Sequence, residues 1–141
     1  MKRFKTNPHT LRRILAGMLD YTIIYIINLC LIIYLGTPNE DGDFTLTGVS
    51  LFIPILIWFL ITVGIETSLG ATLGNKLVNL KPIPRKESER KLTLGELLKR
   101  HLLDPIDMCF FGLVGILTIN NSDYNQRVGD IWADTIVVKN Y

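Results

Sequence analysis

The chain has 141 residues, of which 48% are hydrophobic, and a formal net charge of +2. This length predicts a single domain, residues 1–141, and the mean hydropathy of +0.31 is high for a small soluble protein. The small net charge argues against nucleic acid as a partner. No catalytic or nucleotide-binding motif is present, so we predict neither an enzyme nor a cofactor.

The cysteines and histidines do not form a recognisable site. Cys30 and Cys109 lie far apart, each inside an apolar run, and neither belongs to a C-x-x-C motif. This pattern predicts neither a disulfide nor a zinc site, and we expect both cysteines to act as small apolar residues. His9 and His101 have no metal-binding partners at a suitable spacing, so no metal is expected.

The first long apolar run covers residues 14–35 and contains one charged residue, Asp20, and one amide, Asn28. A helix that crosses a bilayer needs about 20 apolar residues, because each adds ~1.5 Å across a core of ~30 Å. The run is too long for the core of a cleaved signal peptide, and no small-x-small cleavage site follows it. We therefore predict a retained first spanning helix over 14–35.

A second spanning helix is predicted over residues 47–65. The turn-rich loop before it, 36–46, carries only acidic charges, and the apolar run itself carries none. Pro54 lies within the run, and a proline in lipid is tolerated where another group satisfies the freed carbonyl. We expect a kink at Pro54 and place Glu66 at the exit of the helix.

Residues 68–103 are predicted to form a polar loop followed by an amphipathic helix. The stretch 68–101 contains eight lysines and arginines, and 82–90 is expected to be a solvated loop. Thr93 and Glu96 fit the capping-box pattern S/T-x-x-E at the start of a helix. Leucines then follow at helical spacing, while Lys99 and Arg100 lie off that stripe, which is typical of a helix at the membrane surface.

The third apolar segment, 104–120, is short. Its uncharged part has about 12 residues, 108–119, which favours a re-entrant or tilted helix over a full span. The Asp104-Pro105 pair is typical of a helix start, and residues 135–138 in the tail, 121–141, are predicted to form a short strand. The fold class is therefore an all-α membrane protein with two spanning helices, an amphipathic interfacial helix and this third short apolar helix.

The positive charges predict the orientation of a multi-pass protein. Five lysines and arginines precede the first helix, none lies between the two spanning helices, and eight follow the second. Cytoplasmic segments carry the excess of Lys and Arg near spanning helices. We therefore expect the N-terminus and residues 68–101 in the cytoplasm, and residues 36–46 on the opposite side.

Asp20 is the residue with the strongest functional signal. An aspartate at the centre of a spanning helix raises the free energy of insertion by ~2.5–3.5 kcal/mol, and such residues commonly mark ion or proton sites. The alternative is a packing role, in which Asp20 bonds to a neighbouring helix. Arg13 lies two turns earlier on the same face, ~10.5 Å away along the axis, so we expect it to reach the headgroups or another segment.

A similar arrangement recurs later in the chain. The segments RRILAGMLD (12–20) and KRHLLDPID (99–107) align Arg13 with Arg100 and Asp20 with Asp107. This pattern predicts a parallel internal repeat, of the kind some transporters build around an axis normal to the membrane. Two carboxylates brought close together in a low dielectric would share a proton or hold a cation.

Four short motifs follow one another along residues 10–139. The first, R-x-x-A-x-x-x-D, falls on Arg13, Ala16 and Asp20, and the second, a G-x-T-x-G motif, falls on Gly70, Thr72 and Gly74, with Asn75 and Lys76 after it. The third is the arginine that opens the third apolar region, and the fourth is a C-terminal pattern; their residues are Arg100, Arg127, Asp130, Ala133, Thr135, Val137 and Val138. In these motifs the chain resembles the RDD family of small bacterial membrane proteins. It departs from the family at Asn75, where a lysine is usual, and at Asp134, where a small residue is common.

The resemblance implies a location in the bacterial inner (cytoplasmic) membrane. It also implies transport, with cation/proton exchange in some members, although fusion of this domain to others equally implies an accessory role. We predict that Asp20 and Asp107 bind a proton or a monovalent cation; the supporting residues are Arg13, Arg100, Asp130, Asn28 and Glu66. Three short segments enclose little space, so a transporter would be a homo-oligomer in the lipid bilayer. The alternative is a non-transporting interaction module whose Arg/Asp pairs are structural.

Overall fold

Helix α1 spans Thr10–Leu35, with 26 residues, in a computed structural model that describes residues 7–140. It begins four residues before the predicted start at 14, and the basic residues Lys2, Arg3 and Lys5 lie outside the described part. Its buried side chains are Ala16, Asp20 and Ile24. Because these lie four residues apart, they form one stripe that faces the protein, and many of the other apolar side chains of this helix are exposed.

Helix α2 spans Gly48–Leu69 and follows a small hairpin of β1, Thr37–Pro38, and β2, Phe44–Thr45. Pro54 lies in the first turn of its α-helical part, where the missing N–H is not needed. The irregularity in α2 lies instead at a π turn over Leu60–Gly64. That turn is rare in helices and is often found at functional sites, and Glu66 is buried just after it.

One short helix–strand unit follows α2, and a second follows the third apolar region. The first is α3, Leu73–Leu77, with β3, Leu80–Pro84, and the second, near the C-terminus, consists of Val128–Trp132 and Thr135–Lys139. The two strands pair antiparallel, with Pro82 opposite Val137. The strand predicted in the tail is therefore present. Its partner, β3, lies partly in the stretch 82–90, which was predicted to be a loop. The prediction was wrong there because the prolines in β3 are uncommon in strands.

The third apolar region is bent. Helix α4, Leu94–Leu102, begins with the predicted capping box of Thr93 and Glu96, and α5, Asp104–Asp107, continues it. Helix α6, Cys109–Asn121, then turns away by 117°. Even if all 13 of its residues were helical, its length would be about 20 Å, too short for a hydrocarbon core of about 30 Å.

The bend lies at three residues with left-handed backbone, Phe110, Phe111 and Gly112. The chain ends with α7, Val128–Trp132, and β4, Thr135–Lys139. Within residues 7–140, α1 and α2 are long and apolar enough to cross a membrane, and the bent pair would be a third span if it acts as one. The predicted fold class, a mostly helical protein with two long apolar helices, is confirmed.

Candidate functional site

Nine ionisable side chains gather where α1, α2, α4, α5 and α7 meet, and we call them the buried charge cluster. Seven of them are buried, and Arg13 and Arg127 are partly exposed. Each of its five carboxylate residues is at most 6% exposed. The members are Asp20, Glu66, Asp104, Asp107, Asp130, Arg13, Arg100, Arg127 and His101. Burying charges is favourable only when they are paired and hydrogen-bonded, so the geometry of each pair decides what the cluster can do.

Asp130 is the centre of the arginine contacts. Its carboxylate accepts hydrogen bonds from Arg13 and from Arg100, the latter at 2.9 Å between Nε and Oδ1, and from the backbone N–H of Arg127. Burial raises the pKa of the Asp130 carboxyl, but the three guanidinium groups outweigh burial and hold this pKa well below its ordinary value. The arginines therefore favour the charged form of Asp130, which joins α1, α4 and α7.

A second chain of contacts runs through His101. Arg100 also donates to Glu66, whose other oxygen lies 2.5 Å from His101 Nε2. The His101 Nδ1 atom lies 2.7 Å from Asp104 Oδ2, which also accepts from the Tyr21 hydroxyl at 2.8 Å. Both ring nitrogens thus face carboxylates, an arrangement that suits an imidazolium donating at both ends.

Asp20 and Asp107 bind the starts of the two short helices. Asp20 Oδ1 accepts from the backbone N–H of Gly74 at 2.7 Å. Asp107 accepts from Val128 N–H at 2.9 Å and from Gly129 N–H at 3.2 Å. Because the first N–H groups of a helix have no partner within the helix, Asp20 holds the first helix–strand unit against α1, and Asp107 holds the second against α5.

The unit of α3 and β3 recurs 55 residues later as α7 and β4, as the step from Leu73 to Val128 shows. Both helices and both strands have five residues. The residue before each strand, Asn79 or Asp134, has a positive φ of 56° or 54°. Asn and Asp adopt this left-handed conformation more readily than most residues, so the same turn recurs in both units.

The ladder between β3 and β4 is symmetric about its central pair, Pro82 and Val137. A two-fold rotation through this pair exchanges the units and preserves the register. In each unit the second residue of the short helix, Gly74 or Gly129, donates its backbone N–H to an aspartate of the predicted repeat. The helix–strand unit is therefore repeated, while the repeat of 12–20 and 99–107 stays a prediction.

Two cavities lie against the cluster. The smaller, of about 40 Å³, is lined by Asp20, Thr62, Asn75, His101 and Asp104 among others, and Asp104 Oδ1 is buried without a hydrogen bond. The larger is an apolar groove of about 700 Å³ between α1 and α6. The two share a wall, formed by Arg13, Gly17, Tyr21, Met108 and Arg127. Asp20 lines the polar cavity and Asp107 lines the groove, so the two carboxylates do not face one common site.

Most of the predicted site residues lie in the cluster, but their partners were not predicted. Asn28 lies outside it, since its side-chain amide donates to Ile24 O of its own helix. Sequence reasoning missed His101, Asp104 and Tyr21; the available signal was the i, i+3 spacing of His101 and Asp104 on one helix face. Within residues 7–140, no group of three His, Cys, Asp or Glu side chains is arranged to hold a metal ion.

Two apolar helices, a bent third apolar region and a buried Arg–Asp cluster define a small helical protein of the membrane type. A family model described as the RDD family matches residues 7–134. The chain belongs to the RDD family. Comparisons with curated proteins and with solved structures found no match.

Proposed function

We propose that this protein binds a proton or a monovalent cation in the buried charge cluster and takes part in moving it across the bacterial cytoplasmic membrane. The observation that carries the proposal is the charge balance. Among the described residues, five carboxylates face three guanidinium groups, and a protonated His101 supplies one further positive charge. An unbalanced buried carboxylate is strongly disfavoured, so the cluster favours uptake of a proton or a cation.

The polar cavity is the proposed place of uptake. About 40 Å³ exceeds the ~10–15 Å³ that one water molecule requires, and Asp20, Asp104 and Thr62 line the cavity. Asp104 Oδ1 is buried and accepts no hydrogen bond, although the Arg127 guanidinium lies 3.3 Å from it. From this cavity the contacts through His101 and Glu66 reach α2, which gives a proton a connected set of titratable groups.

A pathway needs more protein than one chain offers. Within residues 7–140, α1 and α2 are the single helices long enough to span, and both expose most of their apolar surface. We therefore propose a homo-oligomer in which the α1 and α2 surfaces of several copies enclose the route.

The orientation follows the charges and is tested by labelling. In a background that lacks Cys30 and Cys109, Ser88→Cys is expected to stay unlabelled by a membrane-impermeant maleimide in intact cells, whereas Asp41→Cys reacts. The reason is that residues 68–101 carry eight basic residues and 36–46 carry none, and cytoplasmic segments carry the excess of Lys and Arg. Labelling of Ser88→Cys from outside would reverse the assigned topology.

The transport proposal is tested at Asp20. Asp20→Asn is expected to abolish proton or cation flux in proteoliposomes while the protein stays folded. The asparagine oxygen can still accept from Gly74 N–H, but the titratable charge is gone. Asp43→Asn, in the exposed loop between β1 and β2, is the matched control and should retain flux. Unchanged flux in Asp20→Asn, beside an active wild type, would end the proposed role of Asp20.

A second candidate function is a non-transporting interaction module. The observation that favours it is that Arg13 and Arg100 bind Asp130, while Asp20 and Asp107 fasten helix starts, which are all structural contacts. This module requires no bound ion. It predicts that wild-type proteoliposomes show no flux, and that Asp20→Leu loses stability while Asp20→Asn does not.

A further inference from the structure

The apolar groove between α1 and α6 ends at the buried charge cluster. Its sides are mainly hydrophobic, with two aromatic side chains from α1, Tyr21 and Tyr25, and one, Phe111, from the bend in α6. Its polar end is formed by Arg13, Asp107 and Arg127. A space of about 700 Å³ falls within the size range of small-molecule sites, and its mouth lies along a helix long enough to cross the membrane.

The two arginines at the polar end are each bound by carboxylates, and the cluster behind them carries an excess of negative charge. Arg13 is bound to Asp130. Arg127 lies 3.3 Å from Asp104, 3.7 Å from Asp130 and 3.9 Å from Asp107. Counted over the whole buried charge cluster, five carboxylates face three guanidinium groups and a protonated His101, which leaves one negative charge in excess. A further anion would add to this excess, whereas a cation would reduce it.

The sides of the groove select the kind of cation. A small inorganic ion would lose its hydration in the apolar part and gain no oxygen ligands there. An organic cation with an apolar body loses little hydration, and its charge is attracted to the faces of tyrosine and phenylalanine rings. Tyr21, Tyr25 and Phe111 are the aromatic side chains that line the groove.

We propose that this groove is a binding site for an amphipathic organic cation that enters from the lipid, with its apolar body between α1 and α6 and its charge toward Asp107. The proposal rests on the same excess of negative charge as the proposed function. It requires binding only, so it can hold whether or not the protein transports an ion.

Calorimetry of the purified full-length protein in detergent micelles tests the proposal, with titrations into empty micelles subtracted. The probes are tetraphenylphosphonium and tetraphenylborate, which have the same shape and opposite charge. We expect tetraphenylphosphonium to bind at least about tenfold more tightly, because the cluster carries excess negative charge. Equal or tighter binding of tetraphenylborate would overturn the proposal and assign the groove to an anion.

A pair of tryptophan variants locates the site. Met18 lines the groove and is 62% exposed, so Met18→Trp fills the space without entering the core. Ile26, on the same helix, is 52% exposed and does not line the groove. Met18→Trp is expected to weaken tetraphenylphosphonium binding at least about tenfold, since loss of a buried aromatic-sized contact is worth more than 1.4 kcal/mol. Ile26→Trp should leave it unchanged, and equal affinities in the two variants would refute the groove as the site.

The failure of this proposal is distinguishable from the failure of the proposed function. If Met18→Trp removes tetraphenylphosphonium binding, while the wild type shows no proton or cation flux in proteoliposomes, transport is rejected and the site is retained. Flux that depends on Asp20, without binding of tetraphenylphosphonium, would retain transport and reject the organic-cation site.

Discussion

Replacing Arg100 with methionine is expected to destabilise the protein by about 3–5 kcal/mol, the range for removing one partner of a buried ion pair. Arg100 is 1% exposed and donates to both Glu66 and Asp130. Methionine has a similar length and no charge, so packing changes little. The loss comes from the two carboxylates, which keep their burial and lose a shared cation.

The effect of Arg100→Met is measured as the midpoint of chemical unfolding in detergent micelles. Arg90→Met is the matched control, because Arg90 also binds two carboxylates, Glu87 and Glu96, but at the surface. Exposed ion pairs contribute little in water, so the control midpoint should stay close to the wild-type value. A double variant, Arg100→Met with Glu66→Met, should recover part of the loss, since one orphaned carboxylate is then removed. Wild-type stability in Arg100→Met would mean that the cluster is hydrated and open.

The apolar helices could be predicted from the sequence because their signal is local. A run such as 14–35 is interpretable without knowing its neighbours, since the bilayer requires a fixed apolar length. The capping box at Thr93 and Glu96 was equally local and is present. The strand β3 was not predicted, because Pro82 and Pro84 resemble loop residues. It is a strand only because β4 supplies a partner 55 residues later along the chain.

The partners in the site could not be predicted from spacing. The sequence indicated that Arg13, Asp20, Arg100 and Asp107 were unusual, because charges in apolar segments are rare. It suggested pairs within the repeat, but Arg13 and Arg100 both bind Asp130, in the C-terminal tail. That choice depends on how α7 packs against α1 and α4, which is long-range information. Asp20 and Asp107 bind backbone N–H groups. Nearly every residue has such a group, so the side chains in the sequence do not indicate these partners.

Replacing Gly74 or Gly129 with alanine is expected to be about as damaging as the loss of Arg100. A methyl group on Gly74 would overlap the backbone carbonyl of Ala16, and one on Gly129 would overlap that of Arg100. Backbone atoms packed on a helix cannot move aside as a flexible side chain can. We expect a loss of about 3 kcal/mol for each, at the upper end of the range for overpacking.

The reason for glycine at these two positions is space and not backbone conformation. Neither Gly74 nor Gly129 has a positive φ, so alanine would meet no strain in the backbone itself. Gly95 is the matched control, because it is also helical and a methyl group there would contact nothing within 4 Å. Gly95→Ala should be neutral or slightly stabilising, since alanine favours a helix more than glycine does.

The two glycine variants also test the internal repeat. Gly74 N–H binds Asp20 and Gly129 N–H binds Asp107, so each clash pushes one short helix away from the aspartate that holds it. If the two halves are equivalent, Gly74→Ala and Gly129→Ala should lower the unfolding midpoint by similar amounts. The double variant should then fail to accumulate in the membrane, because the two losses together approach the whole stability of a small domain. If Gly74→Ala leaves the unfolding midpoint unchanged while Gly129→Ala lowers it, only the C-terminal unit is essential for stability. Asp20 and Asp107 would then not be equivalent in function.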